Sequence, residues 1–175
     1  LLDEPAWRRA FNLRRAVLDV RVPVDGGADL RLLNTHLSAF SKGDGTLPRQ
    51  VGQLRRLAEA ARDEGDAVLL AGDLNALPPG EDPSTVLEKD RVLYQDGGGV
   101  LQPLYDALEP ALPLVRYREQ PDRYYTYVPF GGQADRTIDH AFVGGPVRVT
   151  DYRVDGTPVE VSDHLPLLVT VAVEP

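Results

Sequence analysis

The pattern of apolar and polar residues along the chain predicts strands that alternate with helices. Residues 14–22 are rich in β-branched and apolar side chains and predict a strand, and residues 30–34 predict its hairpin partner. From residue 47 to 65 the apolar side chains follow helical spacing, and Gly65 stands where a glycine commonly ends a helix. The short apolar run at residues 67–71 predicts a strand that is buried on both faces.

A strand, a helix and a second strand in this order form a crossover unit, so we expect part of the sheet to be parallel. Short helices are predicted at residues 82–90, where Pro83 suits a first helical turn, and at residues 103–112. The last third returns to strands, predicted at residues 123–128, 137–143, 147–155 and 167–173. The pattern therefore indicates an α/β domain.

The composition is that of a globular protein, with 42% apolar and 26% charged residues in a chain of 175. This length fits one domain, residues 1–175. No apolar run approaches the roughly 20 residues that cross a membrane, so we expect a soluble protein, either cytoplasmic or secreted. The absence of cysteine excludes disulfides and thiol nucleophiles. The net charge of −8 disfavours a surface that covers nucleic acid.

Four short polar motifs lie at ends of predicted strands, where α/β sheets tend to carry their sites. Strand alternation predicts that Asp73 and Asn75 share one side, where a carboxylate and an amide can orient water and hold a phosphoryl oxygen. The alternative for this pair is an ordinary Asp/Asn turn. The motifs are Asn34-Thr35-His36-Leu37, Gly72-Asp73-Leu74-Asn75, Ile138-Asp139-His140 and Ser162-Asp163-His164-Leu165-Pro166.

The last two motifs combine carboxylates with imidazoles. Asp163 can approach a hydrated metal ion, and His164 can contact a phosphate or transfer a proton, although the pair could also be a polar loop. Asp139 stands among apolar residues, where a carboxylate is costly unless an imidazole or similar group pairs with it. His140 points to the opposite face and is expected to pack in the core or to support the site from behind. His36 is either a site residue or a structural histidine.

Taken together, in this order and spacing, the four motifs resemble the endonuclease/exonuclease/phosphatase superfamily. Its members include deoxyribonuclease-like and abasic-site nucleases, neutral sphingomyelinases and inositol-polyphosphate phosphatases. The resemblance covers the chain from about Arg14 onward, and its Pro78-Pro79-Gly80 and Asp135-Arg136-Thr137-Ile138-Asp139 segments are most similar to the bacterial branch. It implies a four-layered α/β sandwich of two packed mixed sheets. It also implies Mg²⁺ or Mn²⁺ as cofactor and in-line attack of water on a phosphoester.

The resemblance also implies roles for the matching residues. Asp73 would orient or deprotonate the attacking water, and Asn75 would help to hold the water and the phosphate. His36 would contact a phosphate oxygen or assist the leaving group. His164 would stabilise the transition state, with Asp139 orienting its ring. Such electrostatic contacts are typically worth a few kcal/mol of barrier.

The metal site is where the sequence departs from the family pattern. Asp163 would lie at or near the metal. The family's early Asn motif and the Glu that is its principal metal ligand both precede the histidine motif, and nothing before His36 supplies them. We therefore expect the chain to lack its N-terminal portion, with the main Glu ligand upstream of Leu1, and to bind metal weakly and turn over poorly as it stands.

The function predicted from the sequence is divalent-metal-dependent phosphoester hydrolysis, by a phosphodiesterase or a phosphatase. The acidic charge favours a small phosphoester, a nucleotide or a lipid head group over duplex DNA. The alternative is a non-catalytic fragment or pseudoenzyme of the same fold that acts as a binding module. The aromatic segment 124–130 is expected to pack mainly in the core, with one or two residues near the cleft. The oligomeric state stays open.

Overall fold

The computed structural model describes residues 15–39, 45–94, 99–130, 132–157 and 162–174. Its main sheet has five strands in the order β1-β2-β3-β5-β4. These strands are β1 (Val17–Val22), β2 (Leu30–His36), β3 (Ala67–Asp73), β4 (Glu109–Pro110) and β5 (Asp139–Gly144). A second sheet pairs two antiparallel strands, β6 (Val147–Val154) and β7 (Leu167–Val173).

The described ranges also contain one long helix and several short ones. The α-helices are α1 (Thr46–Asp63), α2 (Glu88–Arg91), α3 (Gln102–Ala107) and α4 (Leu114–Glu119). Short 3-10 helices of three or four residues lie at Pro83–Thr85, Gly99–Leu101 and Pro121–Tyr124. Within the described ranges, no helix combines the length and the apolar character that a membrane span requires.

The first half of the fold follows the predicted pattern. Strands β1 and β2 form an antiparallel hairpin. Strands β2 and β3, which helix α1 connects along the chain, pair in parallel. Gly65 directly follows Glu64, the residue that caps the C-terminus of α1. It has a φ of 90°, the left-handed conformation that glycine commonly adopts after a helix. Strand β5 then pairs antiparallel with β3, so the main sheet is mixed.

The two faces of the main sheet have different partners. Leu33, Leu70 and Phe142 project toward helix α1, where they join one apolar cluster with the helix residues Val51 and Leu54. On the other face, Leu69, Ala71 and Ala141 pack against β6 and β7, whose contributions include Val149, Tyr152 and Val169. The described residues thus form successive layers of helix, sheet and sheet, which confirms the predicted α/β class with two packed sheets.

Two predicted helices are shorter than expected. The helix predicted at 82–90 is divided, because Asp82 caps a 3-10 turn and α2 begins only at Glu88. The helix predicted at 103–112 ends at Ala107, since the next residues are extended and pair with β5 as β4. Helix α4 was not predicted.

The strand predicted at 123–128 is wrong. Its first residues belong to a 3-10 helix that ends at Tyr124, and beyond it only Tyr127 forms isolated bridges to neighbouring segments. The segment has a β-rich composition, but it forms isolated bridges to two neighbouring segments instead of a continuous strand pairing.

Candidate active site

The ends of three neighbouring strands bring acidic and imidazole side chains to one edge of the main sheet. His36 is the last residue of β2 and is the register partner of Asp73, the last residue of β3. Asp73 is in turn the register partner of Asp139, the first residue of β5. Directly paired residues of a sheet project to the same face, so these three side chains are neighbours.

His164 joins this group from the segment that precedes β7. Its Nε2 atom lies 3.8 Å from Oδ2 of Asp73, and Nε2 of His36 lies 3.2 Å from the same oxygen. Nδ1 of His164 lies 2.7 Å from Oδ2 of Asp139. Two histidines therefore face the carboxylate of Asp73, and Asp139 binds one of them, so four of the residues that the sequence predicts for the site form one group.

The backbone around His164 is tied to the segment 126–128. The N–H of Leu165 donates to the carbonyl of Thr126 at 2.7 Å. The N–H of Val128 donates to the carbonyl of Asp163 at the same distance, 2.7 Å. These two bonds flank His164, so its position is set by a segment that belongs to neither sheet.

Asp73 and Asn75 are related by a turn. Strand β3 ends at Asp73, and Asn75 has a φ of 51°, in the left-handed region that asparagine tolerates better than most residues. The N–H of Asn75 donates to Oδ1 of Asp73 at 2.9 Å, and its Nδ2 donates to the carbonyl of Leu37 at 3.0 Å. The two residues are therefore related by the Asp/Asn turn that the sequence left open as the alternative, and not by strand alternation. The turn fixes the Asp73 carboxylate with Oδ2 toward the histidines.

Gly72 allows the backbones of β2 and β3 to approach each other beside the site. A Cβ atom at this position would lie 1.9 Å from the carbonyl oxygen of Thr35, and the residue has a φ of 145°. Neither the space nor the backbone conformation admits a side chain. The contact between His36 and Asp73 therefore depends on this glycine.

The site shifts the proton affinities of its members in opposite directions. Burial raises the pKa of Asp73, and the nearby Asp139 carboxylate adds to the rise, while the Asn75 N–H opposes it. The hydrogen bond with Asp139 raises the pKa of His164. Partial burial lowers the pKa of His36 despite the nearby Asp73 carboxylate. Asp73 is thus a stronger base than a free carboxylate, and His164 holds its proton more firmly than a free imidazole.

His140 lies on the other face of β5, as predicted. It is buried, its Nε2 donates to the carbonyl of Ala76 at 2.8 Å, and its ring stacks near Phe142. Burial lowers the pKa of His140. These contacts fit the predicted packing role behind the site.

The described residues do not by themselves fit a complete metal site. Across the described part of the chain, no group of three or more His, Asp or Glu side chains is placed to hold a metal ion. The carboxylates of Asp73 and Asp139 already have hydrogen-bonding partners. Asp163, the predicted ligand, is exposed and could contribute one carboxylate to a metal site.

Two hydroxyl residues that support the site were not predicted. Thr126 is fully buried, and its Oγ1 accepts hydrogen bonds from the N–H groups of Ile138 and Asp139, each at 3.2 Å. Ser162 accepts a hydrogen bond from the His164 N–H at 3.0 Å. A serine hydroxyl commonly accepts a hydrogen bond from the N–H two residues later, so Ser162 had a local signal. Thr126 had none, because its partners lie far away in the sequence.

Both the sequence and the fold are similar to those of known proteins. The sequence model described as "Endonuclease/Exonuclease/phosphatase family" matches residues 7–164 of the chain. A comparison with curated proteins gives no match. Among solved structures, the chain is similar to an endonuclease/exonuclease/phosphatase from Beutenbergia cavernae DSM 12333, with a TM-score of 0.62 and 23% identity. That alignment covers 96% of this chain and 42% of the other.

Two eukaryotic structures show the same likeness. The human Nocturnin catalytic domain with bound sulfate anion has a TM-score of 0.65 and 18% identity, over 91% of this chain and 53% of that one. A truncated TDP2 of Caenorhabditis elegans has a TM-score of 0.54 and 20% identity, over 86% of this chain and 57% of that one. The chain thus spans about half the length of these structures. At such identities the likeness shows the fold.

Proposed function

The chain belongs to the endonuclease/exonuclease/phosphatase family, and on that premise we propose that it hydrolyses a phosphoester by in-line attack of a water that Asp73 activates. Members of the family are generally metal-dependent hydrolases of phosphoesters. The observation that supports this proposal is the position of Asp73, whose Oδ2 lies 3.2 Å and 3.8 Å from the Nε2 atoms of His36 and His164.

Asp73 acts as the base that receives the proton of the attacking water. Its pKa is raised by burial, which makes the carboxylate a better proton acceptor near neutral pH. The N–H of Asn75 holds Oδ1, so Oδ2 is the oxygen that faces the water. The side-chain nitrogen of Asn75 is bound to Leu37, which leaves its amide oxygen to accept a hydrogen bond from the same water.

His164 stabilises the negative charge that develops on the phosphoryl oxygens. Asp139 binds Nδ1 and so fixes the orientation of the ring, with Nε2 directed toward Asp73. Because this hydrogen bond raises the pKa of His164, the imidazole remains protonated to higher pH and presents an Nε2–H donor. A donor held in place before the reaction lowers the barrier without having to reorganise.

His36 is the more accessible of the two imidazoles at the site. Its side chain is 55% exposed, compared with 28% for His164. Such a position suits contact with a phosphate oxygen or proton donation to the leaving group, the two roles that the resemblance implies. Both roles require Nε2 to face the substrate beside Asp73.

The proposed cofactor is Mg²⁺ or Mn²⁺, with Asp163 as one ligand. A carboxylate is a hard oxygen donor, and cations of this kind prefer such donors. Within the described ranges, Asp163 is not part of a group of three or more side chains that could hold a metal ion. The remaining ligands would come from outside the described residues.

The proposed substrate is a small phosphoester, a nucleotide or a lipid head group in preference to duplex DNA. The family acts on phosphoesters that include nucleic acids. Proteins that grip the duplex normally do so through a basic surface, whereas this chain has a net charge of −8.

Hydrolysis of a bis-aryl phosphate by the full-length protein tests the proposal. We expect activity with Mg²⁺ or Mn²⁺ that a chelator removes and that His164→Ala and Asp73→Asn reduce strongly. Asp163→Asn should raise the metal concentration needed for half-maximal activity. Asp151→Asn changes an exposed carboxylate on β6 and serves as the matched control. Activity that survives both chelation and His164→Ala would contradict the proposal.

The alternative is a non-catalytic binding module of the same fold. The observation in its favour is that the described residues lack a complete metal-ligand group. A full-length protein that binds inorganic phosphate or a nucleotide, yet hydrolyses no phosphoester with any divalent metal, would support this alternative.

A further inference from the structure

Tyr127 joins the His164 segment to the segment that precedes β5. It forms isolated antiparallel bridges with both Arg136 and His164. Its N–H donates to the carbonyl of Arg136 at 3.1 Å, and its own carbonyl accepts the N–H of Asp135 at 3.2 Å. With a bridge on each side, the backbone of Tyr127 is fixed between two parts of the site that are distant in sequence.

The side chain of Tyr127 packs against the imidazole of His164. The two ring centroids lie 5.3 Å apart and the ring planes cross at 78°, an edge-to-face arrangement that aromatic pairs favour. The hydrogen bond to Asp139 holds only one atom of the imidazole. A ring that turns about this bond would carry Nε2 away from Asp73, and the Tyr127 ring blocks part of that movement.

Arg136 forms a rigid support behind Tyr127. Its guanidinium carbon lies 4.5 Å from the ring centroid of Tyr127 and 5.3 Å from that of Tyr94, both within the range of cation–π contacts. The side chain is only 2% exposed and is bound to Asp90 and Asp135 at 2.7 Å each. Moving a buried arginine from such partners leaves charges uncompensated, so this support is costly to displace.

We propose that Tyr127 is a positioning residue for His164 and that Arg136 acts through Tyr127. The catalytic consequence rests on the proposed function, whereas the orientation of the imidazole does not depend on any substrate. The contact is made by the aromatic ring. Phenylalanine should therefore replace Tyr127 without loss, and leucine should not.

The orientation can be measured by NMR on the metal-free, substrate-free protein labelled with ¹⁵N-histidine. The signal is the Nδ1–H proton of His164, which its bond to Asp139 protects from water, and His164→Ala identifies it. We expect Tyr127→Phe to retain this signal and Tyr127→Leu to lose it through exchange. The Nε2–H of His140, bound to Ala76 on the other face of β5, should persist in every variant and reports an intact fold.

A matched control exists in the same segment. Tyr125 is also half-buried, but it lies beside Glu81 and Thr85. Tyr125→Leu should keep the His164 signal. If Tyr125→Leu removes the signal as Tyr127→Leu does, the effect is a general loosening of the segment and the proposal fails.

Kinetics of the full-length protein on a bis-aryl phosphate give the second measurement. Tyr127→Leu should lower kcat by roughly tenfold to a hundredfold with KM unchanged, as expected for a misplaced catalytic group. Tyr127→Phe should retain the kcat of the wild type. Arg136→Lys keeps the charge but loses the planar stacking, so it should lower kcat in the wild-type background and have little further effect beside Tyr127→Leu.

The two proposals fail in different ways. A Tyr127→Leu variant that keeps both the His164 proton signal and wild-type kcat overturns the positioning role. A Tyr127→Phe variant as impaired as Tyr127→Leu overturns it too, because the hydroxyl would then be required. If the wild type hydrolyses nothing but the NMR response is as expected, the positioning role stands and the proposed hydrolase function fails.

Discussion

Nδ1 of His164 lies 2.7 Å from Oδ2 of Asp139, and the two residues are 25 positions apart in the sequence. Asp139 is itself held in place, since its N–H donates to the buried hydroxyl of Thr126 and its backbone pairs with Asp73 in the sheet. The imidazole is therefore oriented by a carboxylate on the rigid main sheet. The loop that carries His164 supplies the ring, and the sheet determines which way it faces.

Replacing Asp139 by asparagine tests this orientation. The amide preserves the size of the side chain but removes the charge and can bind the wrong tautomer of His164. We expect kcat on a bis-aryl phosphate to fall by about 10²- to 10⁴-fold, between the loss typical of a supporting carboxylate and the loss seen in a Ser-His-Asp triad. Thermal unfolding should show an intact fold, and Asp151→Asn should leave kcat unchanged. Wild-type kcat in Asp139→Asn would show that Asp139 does not orient the ring.

The three histidines should titrate differently in the metal-free protein. The hydrogen bond with Asp139 raises the pKa of His164 above the ordinary value of 6.5. Partial burial lowers that of His36, and complete burial lowers that of His140. A ¹H–¹³C NMR titration of the ring signals should therefore show His164 as the last to lose its proton as pH rises. A His164 midpoint below that of His36 would contradict the structure.

The same shift predicts how stability depends on pH. Because His164 binds its proton more tightly in the folded state, its contribution to stability is fully present below pH 6.5, the unfolded value. That contribution is lost as pH rises through the higher pKa of the folded state. The difference in the free energy of unfolding between wild type and His164→Gln should therefore narrow with rising pH. Urea unfolding at several pH values measures it, and a difference that widens would contradict the assignment.

The parts of the fold that the sequence predicted are those with a local pattern. Helix α1 has unbroken helical spacing and is closely followed by Gly65, and most of β3 comes from the wholly apolar run at residues 67–71. The segment 123–128 has a β-rich composition, yet its backbone bonds go to Arg136 and to the residues beside His164. Spacing within the segment carries no information about these distant partners.

The residues of the site were easier to predict than their contacts. An imidazole partner for Asp139 could be anticipated, because a carboxylate among apolar residues needs a partner. The family resemblance implied that His164 is this partner. The contact of His36 with Asp73 depends on the parallel register of β2 and β3, which the sequence does not specify. The support from Tyr127 and Arg136 could not be anticipated, since it arises only when three separate segments meet.

Gly72→Ala should damage both the stability and the site. The added methyl group would meet the carbonyl oxygen of Thr35, and alanine tolerates the φ of 145° poorly. We expect the free energy of unfolding to fall by about 2 kcal/mol or more, as is typical for a strained backbone position. Gly156→Ala is the control, because a Cβ there meets nothing within 4 Å. Urea unfolding compares the two, and equal stabilities would mean that β2 and β3 do not approach as closely as described.

His140→Phe should show that the role of His140 is structural, in contrast to the catalytic role proposed for His164. Phenylalanine can stack beside Phe142 as His140 does, but it leaves the buried carbonyl of Ala76 without its donor. We expect a loss of about 1–3 kcal/mol in the free energy of unfolding, the usual penalty for an unsatisfied buried polar group. Because His140 lies on the face of β5 opposite Asp139, kcat of the folded enzyme should not change. At a pH above the raised pKa of His164, where its charge no longer contributes to stability, His164→Ala should give the reverse result, a large loss of kcat with little loss of stability. A His140→Phe variant that is stable but inactive would place His140 in the reaction and contradict the division of roles between the two faces of β5.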